Sequence, residues 1–571
     1  MSKQKPSRTT KRDARKRRKH RGTDTTRPVA DLQATDSQHL IGPRRSSLRA
    51  GLAVMGGRAA GALSRRLHLG GGTSIAGLVA QSVYPGIVGH LSKQLAHGSI
   101  LVTGTNGKTT TSGLIAAILS DAGFRVWRNR EGSNLMRGVA GALVIRAQPN
   151  GHLRRSGQAI SIFEVDEAVM SQAVRTIPPR VAVFTNLFRD QLDRYGEVDS
   201  VSARWRYAVS LLPDTTTLIL NADDPSTAQL GELFSGKVMY YGIDDPSLDF
   251  AAQQGPAAER HQAIDTRTCP FCGGEYIYTL QYYSHLGHYR CSKCLRTRPE
   301  ADVRAVKVST DGIDRLRMQV ETATQQEEIV IPLAGFYNVY NALAAIAASL
   351  ALGIARDPIV SGIEQFKPAF GRGERVQVEG RTLRLLLAKN PTGFNEVLRT
   401  LFNNGTFRHL LLVLNDNVAD GRDISWIWDV DFERTVQHIA TLTVAGTRAL
   451  DLALRLKYAG IEPQDISIVT SGPLRAAKSI IQSKAHRMRG RGRLATAEAG
   501  RGSELIAIGD GLINQVSTKG YGIANALESA IRRTPADETL FVVPTYTGLL
   551  EIHHELERRG LTPHYWEEKG P

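Results

Sequence analysis

The chain has 571 residues, 42% hydrophobic content and a formal net charge of +17. That length holds several domains with large cores, and no stretch approaches the ~18–20 apolar residues of a membrane span. The basic start leads into no apolar secretory segment, which predicts a cytoplasmic location.

Residues 1–22 carry eleven Lys/Arg against one Asp, so +10 sits there and +7 on the other 549 residues. Residues 1–48 therefore read as a disordered basic tail. Such a tail could touch nucleic acid or an anionic membrane face, or stay solvated without a specific partner. From Leu48 to about His97 the chain is rich in Ala, Gly and Leu, with Arg58, Arg65 and Arg66. One or two helices around a Gly70-Gly71-Gly72 turn are predicted there.

The apolar run Ile100-Leu101-Val102 leads into Thr103-Gly104-Thr105-Asn106-Gly107-Lys108-Thr109-Thr110-Thr111. This is a strand entering a glycine loop, with a helix predicted from about Ser112 to Ala122. The loop fits G-x-x-G-K-[ST], two residues shorter than the general phosphate-loop pattern. Glycines let backbone N–H groups close around phosphate oxygens, and the helix N-terminus adds its dipole. Lys108 would reach the β/γ-phosphates of a nucleotide and Thr109 would ligate Mg²⁺. An ordinary glycine-rich turn would not need a lysine followed by three hydroxyls.

Short apolar runs at Ala159–Glu164, Val181–Thr185 and Thr217–Leu220 alternate with helical patterns, which predicts a mostly parallel sheet with helices on both faces. Glu164 ends one run, at the sheet edge where ligands bind, and is the candidate second Mg²⁺ ligand; the plain alternative is a helix-capping acid. The polar segments after the next two strands, Thr185–Asp193 and Asn221–Pro225, also read as built around a nucleotide. Cys269-x-x-Cys272 and Cys291-x-x-Cys294 then form two knuckles 18 residues apart, around a Tyr/His-rich hairpin pattern from Tyr276 to Tyr289. Four thiolates suit a closed, structural, tetrahedral Zn²⁺ site, and disulfides are not expected in a reducing cytosol. His285 and His288 could compete as ligands but read as flanking surface histidines.

Asn338 and Asn341 stand one helical turn apart on a predicted helix and could bond a purine edge. Arg372 follows at a domain junction. Strands are predicted again at Leu385–Leu387, His409–Leu414, Thr441–Ala445 and Leu540–Val543. Between them, about 470–535 reads as an Arg/Gly/Ala-rich insertion, part helix and part loop, most basic at Arg487–Arg493.

Six motifs, in order over about 100–376, resemble the Mur ligase family of ATP-dependent amide-bond-forming enzymes. They are Thr-Gly-Thr-Asn-Gly-Lys-Thr-Thr, the strand-terminal Glu164, Asn-x-x-Arg-Asp-x-Leu-Asp from Asn186, Leu-Asn-Ala-Asp-Asp from Leu220, Asn-x-x-Asn-x-x-Ala-Ala from Asn338, and Gly-Arg-x-Glu from Gly371. The resemblance implies that Gly104, Thr105, Asn106, Gly107, Lys108, Thr109 and Thr110 hold ATP, and that Thr109 and Glu164 bind Mg²⁺. It further implies that Asn338 and Asn341 face adenine and that Arg372 contacts the phosphates. The reaction implied joins a carboxylate to an amine through an acyl phosphate. The fold expected is α/β: a Mur ligase-like central parallel-sheet domain over 49–368, with an N-terminal helical segment and a zinc ribbon inserted at 262–300. A C-terminal Rossmann-like α/β domain is expected over 369–571.

Several positions depart from the usual family pattern. Gln191 and Tyr337 replace histidines, no lysine between Gly196 and Ser210 is available for carbamylation, and Lys389 takes a histidine place in Leu386-Leu387-Ala388-Lys389-Asn390-Pro391. With the zinc knuckles and the run from Leu414 to Glu433, these departures resemble the MurT-type branch, the ligase subunits of lipid II isoglutaminyl synthase. That branch implies amidation of the D-glutamate α-carboxyl of lipid II at the inner membrane face, with ammonia from a GatD-type glutaminase partner in a heterodimer. It also implies that Asp423 completes the partner's catalytic triad. A carboxylate can orient a His and stabilise its imidazolium. Yet Asp416, Asp420, Asp429 and Asp431 lie close by, and the residues alone do not choose among them. The alternative for Asp423 is an Asp-rich turn capping a helix that starts near Ser425. Two rivals remain: an amino-acid-adding murein or folylpolyglutamate ligase, opposed by the missing lysine and the short N-terminal region, and a nucleic-acid-binding ATPase. No specific nucleic acid is expected, because helicase-like motifs are absent after the loop.

Overall fold

The computed structural model describes residues 48–67, 72–129, 133–189, 198–249, 266, 268–311, 314–367, 372–402, 405–472, 503–508, 511–517 and 522–562. The predicted basic tail, Gln191 and the basic run Arg487–Arg493 lie outside the described residues, as does the side chain of Arg372.

Three helices open the described chain: α1 (Leu48–Arg66), α2 (Thr73–Val83) and α3 (Ile87–Ser92). Strands β1 (Ser99–Thr103), β2 (Arg125–Arg128), β3 (Ala159–Glu164), β4 (Val181–Phe184), β5 (Thr217–Asn221) and β6 (Lys237–Ile243) then run parallel in the order β6-β5-β4-β1-β3-β2. β1, β3 and β4 are buried along their whole length, as expected of strands covered on both faces. The hairpin β7 (Tyr276–Tyr283) and β8 (Leu286–Cys291) forms a separate two-stranded sheet. An antiparallel meander, β9 (Val303–Asp311), β10 (Arg315–Thr322) and β11 (Gln326–Ile331), extends the first sheet to nine strands.

One face of this sheet packs under α4 (Lys108–Asp121), α8 (Tyr337–Ala351) and α9 (Arg356–Glu364). The other packs against α1–α3, α5 (Met136–Val144), α6 (Met170–Thr176) and α7 (Val198–Val209), with Trp205 fully buried. The register positions the site. Val102 pairs with both Glu164 and Val183, so the chain leaves β1, β3 and β4 at one carboxyl edge. Helix α4 begins at Lys108, four residues before the predicted start. Gly107 takes φ 85° as its N-cap, a conformation glycine adopts without cost, and this lets the helix begin at once.

The second sheet holds β12 (Arg372–Val378), β13 (Arg381–Leu386), β14 (Arg408–Val413), β15 (Ile439–Gly446), β16 (Ile466–Thr470), β17 (Ser503–Ile508), β18 (Gly511–Ser517) and β19 (Thr539–Pro544). Its order is β12-β13-β19-β14-β15-β16-β18-β17, parallel except for the antiparallel edge strands β12 and β17. Helices α10 (Pro391–Phe402) and α11 (Ala449–Tyr458) cover one face. Helices α12 (Gly522–Arg533) and α13 (Tyr546–Arg558) cover the other. The described part of the supposed 470–535 insertion thus belongs to the sheet. β17 and β18 extend it, and Ala526, Leu527, Ala530 and Ile531 of α12 are core residues.

Candidate functional site

The loop Gly104–Gly107 is held by its neighbours on three sides. Thr105 donates its hydroxyl to Phe188 O at 3.1 Å, and Asn106 N–H donates to Asn186 Oδ1 at 2.9 Å. Thr185 Oγ1 donates to Asn106 O at 2.8 Å. A Cβ on Gly104 would collide with the Thr185 hydroxyl and one on Gly107 with Asn341 Oδ1, so both glycines are needed for close approach. From the second sheet, Asn390 Nδ2 donates to Asn106 Oδ1 at 3.0 Å. The tip of the loop is therefore in contact with the segment that carries Lys389.

Lys108 Nζ curls back to the Gly104 carbonyl and lies 2.6 Å from Glu167 Oε1. Burial pushes the Glu167 carboxyl above its ordinary range, with Lys108 and then Lys389 opposing. Beneath the loop, Glu164 is buried and accepts from Thr109 Oγ1 at 2.8 Å on one oxygen and from Ser112 Oγ at 2.8 Å on the other. Arg128 Nη2 adds a contact at 3.4 Å, and Asn129 brackets the Glu164 backbone with two 2.9 Å bonds. Thr109, Glu164 and Lys108 are thus one cluster, with hard oxygen donors of the kind Mg²⁺ takes. Glu167, Arg128, Asn129 and Asn390 were not singled out from sequence. Arg128-Asn129 closes a short strand with nothing in its pattern to mark it.

Asn338 and Asn341 are buried and bonded to each other at 2.8 Å. Asn338 Nδ2 donates to Ala334 O at 2.6 Å, and Asn341 Oδ1 accepts from Thr111 Oγ1 at 3.3 Å. As placed, they brace the Gly107 turn. The carboxylates nearby are also satisfied within the chain, and one expectation, the surface placement of His285, changes. Asp223 is fully buried between Arg298 Nε (2.5 Å), Tyr340 OH (2.7 Å) and Ile243 N–H (2.9 Å), and Asp224 caps a one-turn helix through Ser226 N–H (2.8 Å). Asp224 Oδ2 also accepts from Leu187 N–H at 2.7 Å beside the loop, and Asp223 O accepts from Gly287 N–H of the β7–β8 hairpin at 3.0 Å, because buried polar groups must find such partners. His285 is fully buried, not a surface residue, and sits 4.8 Å from Phe188 and 3.4 Å from Asp224.

The four cysteine sulfurs lie within 4.8 Å of one another, with Cys269–Cys294 at 3.7 Å and Cys272–Cys291 at 3.3 Å. Sulfur–sulfur spacings of this size fit a tetrahedral ion with ~2.3 Å bonds. The Arg296 backbone N–H and guanidinium hold the Cys294 thiol down to about 6. Neither His285 nor His288 belongs to this cluster.

In the acidic loop after β14, most carboxylates are engaged within the chain. Asp416 pairs with Arg448 at 2.7 Å, Asp420 accepts from Thr547 N–H at 2.8 Å, Asp429 pairs with Arg189, and Glu433 pairs with Arg455 at 2.7 Å. Asp431 also interacts within the chain. Asp423 differs. Its Oδ1 accepts from Ser425 N–H at 2.8 Å, and this bond, with the Ser425 hydroxyl, keeps the carboxyl below its ordinary range. The segment it precedes is a single 3₁₀ turn, Ser425–Asp429, and not the helix expected there. The surrounding surface exposes Val418, Trp428 and Tyr458.

A family model described as the Mur ligase middle domain matches residues 102–284, and one described as MurT ligase C-terminal matches residues 387–489. A Staphylococcus aureus (strain COL) protein named lipid II isoglutaminyl synthase (glutamine-hydrolyzing) subunit MurT is 34% identical over 412 residues, 72% of this chain and 87% of that protein. The Streptococcus pneumoniae (strain ATCC BAA-255 / R6) protein of the same name is 32% identical over 422 residues, 74% and 89% of the two chains. Among solved structures, a pseudomurein peptide ligase type C from Methanothermus fervidus matches with TM-score 0.54 at 19% identity, over 81% of this chain and 79% of that one. That last likeness is one of fold.

Proposed function

The chain belongs to the MurT family of lipid II isoglutaminyl synthase subunits, and from that premise we propose how its residues divide the reaction. It is an ATP-dependent ligase of peptidoglycan synthesis. A carboxylate oxygen of the stem-peptide D-glutamate attacks the γ-phosphorus of ATP, giving an acyl phosphate and ADP. Ammonia then attacks the carbonyl carbon, the C–N bond forms, phosphate leaves with the C–O electron pair, and the nitrogen loses a proton. The product is D-isoglutamine in lipid II.

The backbone of Gly104, Thr105, Asn106, Gly107 and Thr110 cradles the phosphates, and Lys108 neutralises the charge that develops on them. Thr109 and Glu164 would hold Mg²⁺, which supplies further charge neutralisation when bound. Lys389 brings a second cation from the other sheet, next to Glu167, where the family pattern has a histidine. Arg372 contacts the phosphates. Asn338 and Asn341 fix the loop and offer their second amide hydrogens to adenine. Cys269, Cys272, Cys291 and Cys294 would hold a structural Zn²⁺. A GatD-type glutaminase docks over the acidic loop, where Asp423 is ionised at neutral pH and can orient a partner histidine. The complex works at the inner face of the membrane that carries lipid II.

The observation that carries this reading is 34% identity over 72% of the chain to a named MurT subunit. The amino-acid-adding rival is represented more thinly, for example by an Aquifex aeolicus UDP-N-acetylmuramate–L-alanine ligase at 26% identity over 48% of the chain. The test is amidation of lipid II with ATP and Mg²⁺, driven by ammonia for this chain alone and by glutamine only with the partner. ATP hydrolysis stimulated by nucleic acid and not by lipid II would overturn it.

A further inference from the structure

The N-terminal hairpin of α1 and α2 has two unlike faces. Its inner face is built from small residues fitted to the protein: a Cβ on Gly77 would collide with Arg137 O, and one on Gly51 with Pro149 O. Its outer face is apolar and open. Leu52, Met55, Leu63 and Leu67 are 58%, 47%, 58% and 57% exposed, and they repeat at helical spacing with Ala59 between them. On α2, Leu78 is 53% exposed and Ile75 36%. Gly56 of α1 lies against Val79 of α2, so the two stripes adjoin. Single exposed leucines are ordinary, but a contiguous row on neighbouring helices marks an interaction surface.

Charge selects the occupant. There is no acidic residue from Ser37 to Ser120, and α1 carries Arg49, Arg65 and Arg66 besides Arg58, which turns inward to Ala147 O at 3.1 Å. Arg65 and Arg66 are exposed in its last turn. A second copy would set these arginines against their own kind. An anionic surface with an apolar interior satisfies both features, as it does for helices that lie in the plane of a membrane interface. No described helix is long and apolar enough to cross a membrane, so this contact is one of lying on the surface.

We propose that the outer face of α1 and α2 is a docking surface for an anionic lipid bilayer, and that it holds the ligase beside its lipid-linked substrate. The proposal rests on the proposed function for that substrate only. The test is co-sedimentation of the full chain with phosphatidylglycerol/phosphatidylcholine vesicles and with phosphatidylcholine alone. The parent should bind the anionic vesicles. The triple variant L52Q/M55Q/L63Q should bind them roughly tenfold more weakly, since membrane affinity scales with apolar burial. Its thermal midpoint should not move, because the three side chains are exposed. L78Q, on the other helix, should weaken binding in the same direction. Equal binding by parent and both variants overturns the proposal, as does complete loss on deleting residues 1–44 alone, which would assign binding to the basic tail. Self-association of the parent that the triple variant abolishes, without vesicle binding, would assign the face to a second copy and overturn it too. Ammonia-driven amidation of a lipid-free stem peptide, run in parallel, should be equal in parent and variant. Its absence from the parent would count against the substrate reading and leave the vesicle result standing.

Discussion

Glu164 ends a strand of one parallel sheet and Asp423 lies in the loop after β14 of the other, and their surroundings differ. Glu164 is buried and meets Thr109, Ser112 and Arg128, all from its own chain. Asp423 is half-exposed, with Ser425 as its hydrogen-bond partner and the Arg189 guanidinium as a weaker attraction, while the neighbouring acids are paired more closely. A buried carboxylate has to be satisfied within its chain, whereas an exposed and ionised one can be offered to another. On the proposed function the first site is complete in the chain and the second is offered to a partner.

The largest expected effect breaks the first site. K108A should reduce ATP-dependent amidation by about 10²–10³-fold with ammonia and glutamine alike, the loss seen when one transition-state charge partner is removed. Near-normal turnover at saturating ATP would take the phosphates away from this loop. K389A should cost less, about tenfold in ammonia-driven turnover, because its cation acts across the interface and beside Lys108. An unchanged rate would confine Lys389 to a structural role.

How much of this was legible in the sequence depends on burial and distance. The phosphate loop, the parallel strands and the cysteine knuckles carry their pattern within a few residues. Arg128, Asn129 and Asn390 reach the site only through the pairing of β2 with β3 and the contact between the two sheets, which no local spacing encodes. His285 reads as a surface residue and is fully buried, because its partners come from other elements. A polar residue in a hairpin turn reads as exposed until its buried neighbours, Asp224 and Phe188, are seen. Strands β17 and β18 sit in a weakly patterned stretch, so periodicity gave no sign that they extend the sheet.

Two smaller effects test the scaffold. If the proposed zinc is held by these thiolates, C269S/C272S should carry none, measured as metal per chain, and its thermal midpoint should fall by several degrees, because ligation contributes to local folding. A folded variant with full zinc would rule out the four-thiolate site. Glu555 is held down to about 2 by hydrogen bonds from Arg558 and Arg559. Since the folded state depresses this carboxyl, its contribution is present above its ordinary 4.5 and is lost as pH falls through about 2. E555Q should therefore cost about 1 kcal/mol near neutrality, after allowance for the exposure of Arg558, and nothing in strong acid. A pH-independent difference in urea midpoints would point to packing instead.

The division between a complete site and a lent carboxylate is tested most directly by D423N in the purified complex with its glutaminase. The quantity to measure is the ratio of glutamine-driven to ammonia-driven amidation of lipid II. The account predicts that the ratio collapses, because a neutral amide cannot stabilise a partner imidazolium, while ammonia-driven amidation and complex formation stay at the parent level. Equal loss of both activities would place Asp423 in the ligase site, an unchanged ratio would leave it as the tie to Ser425, and either result would contradict the account.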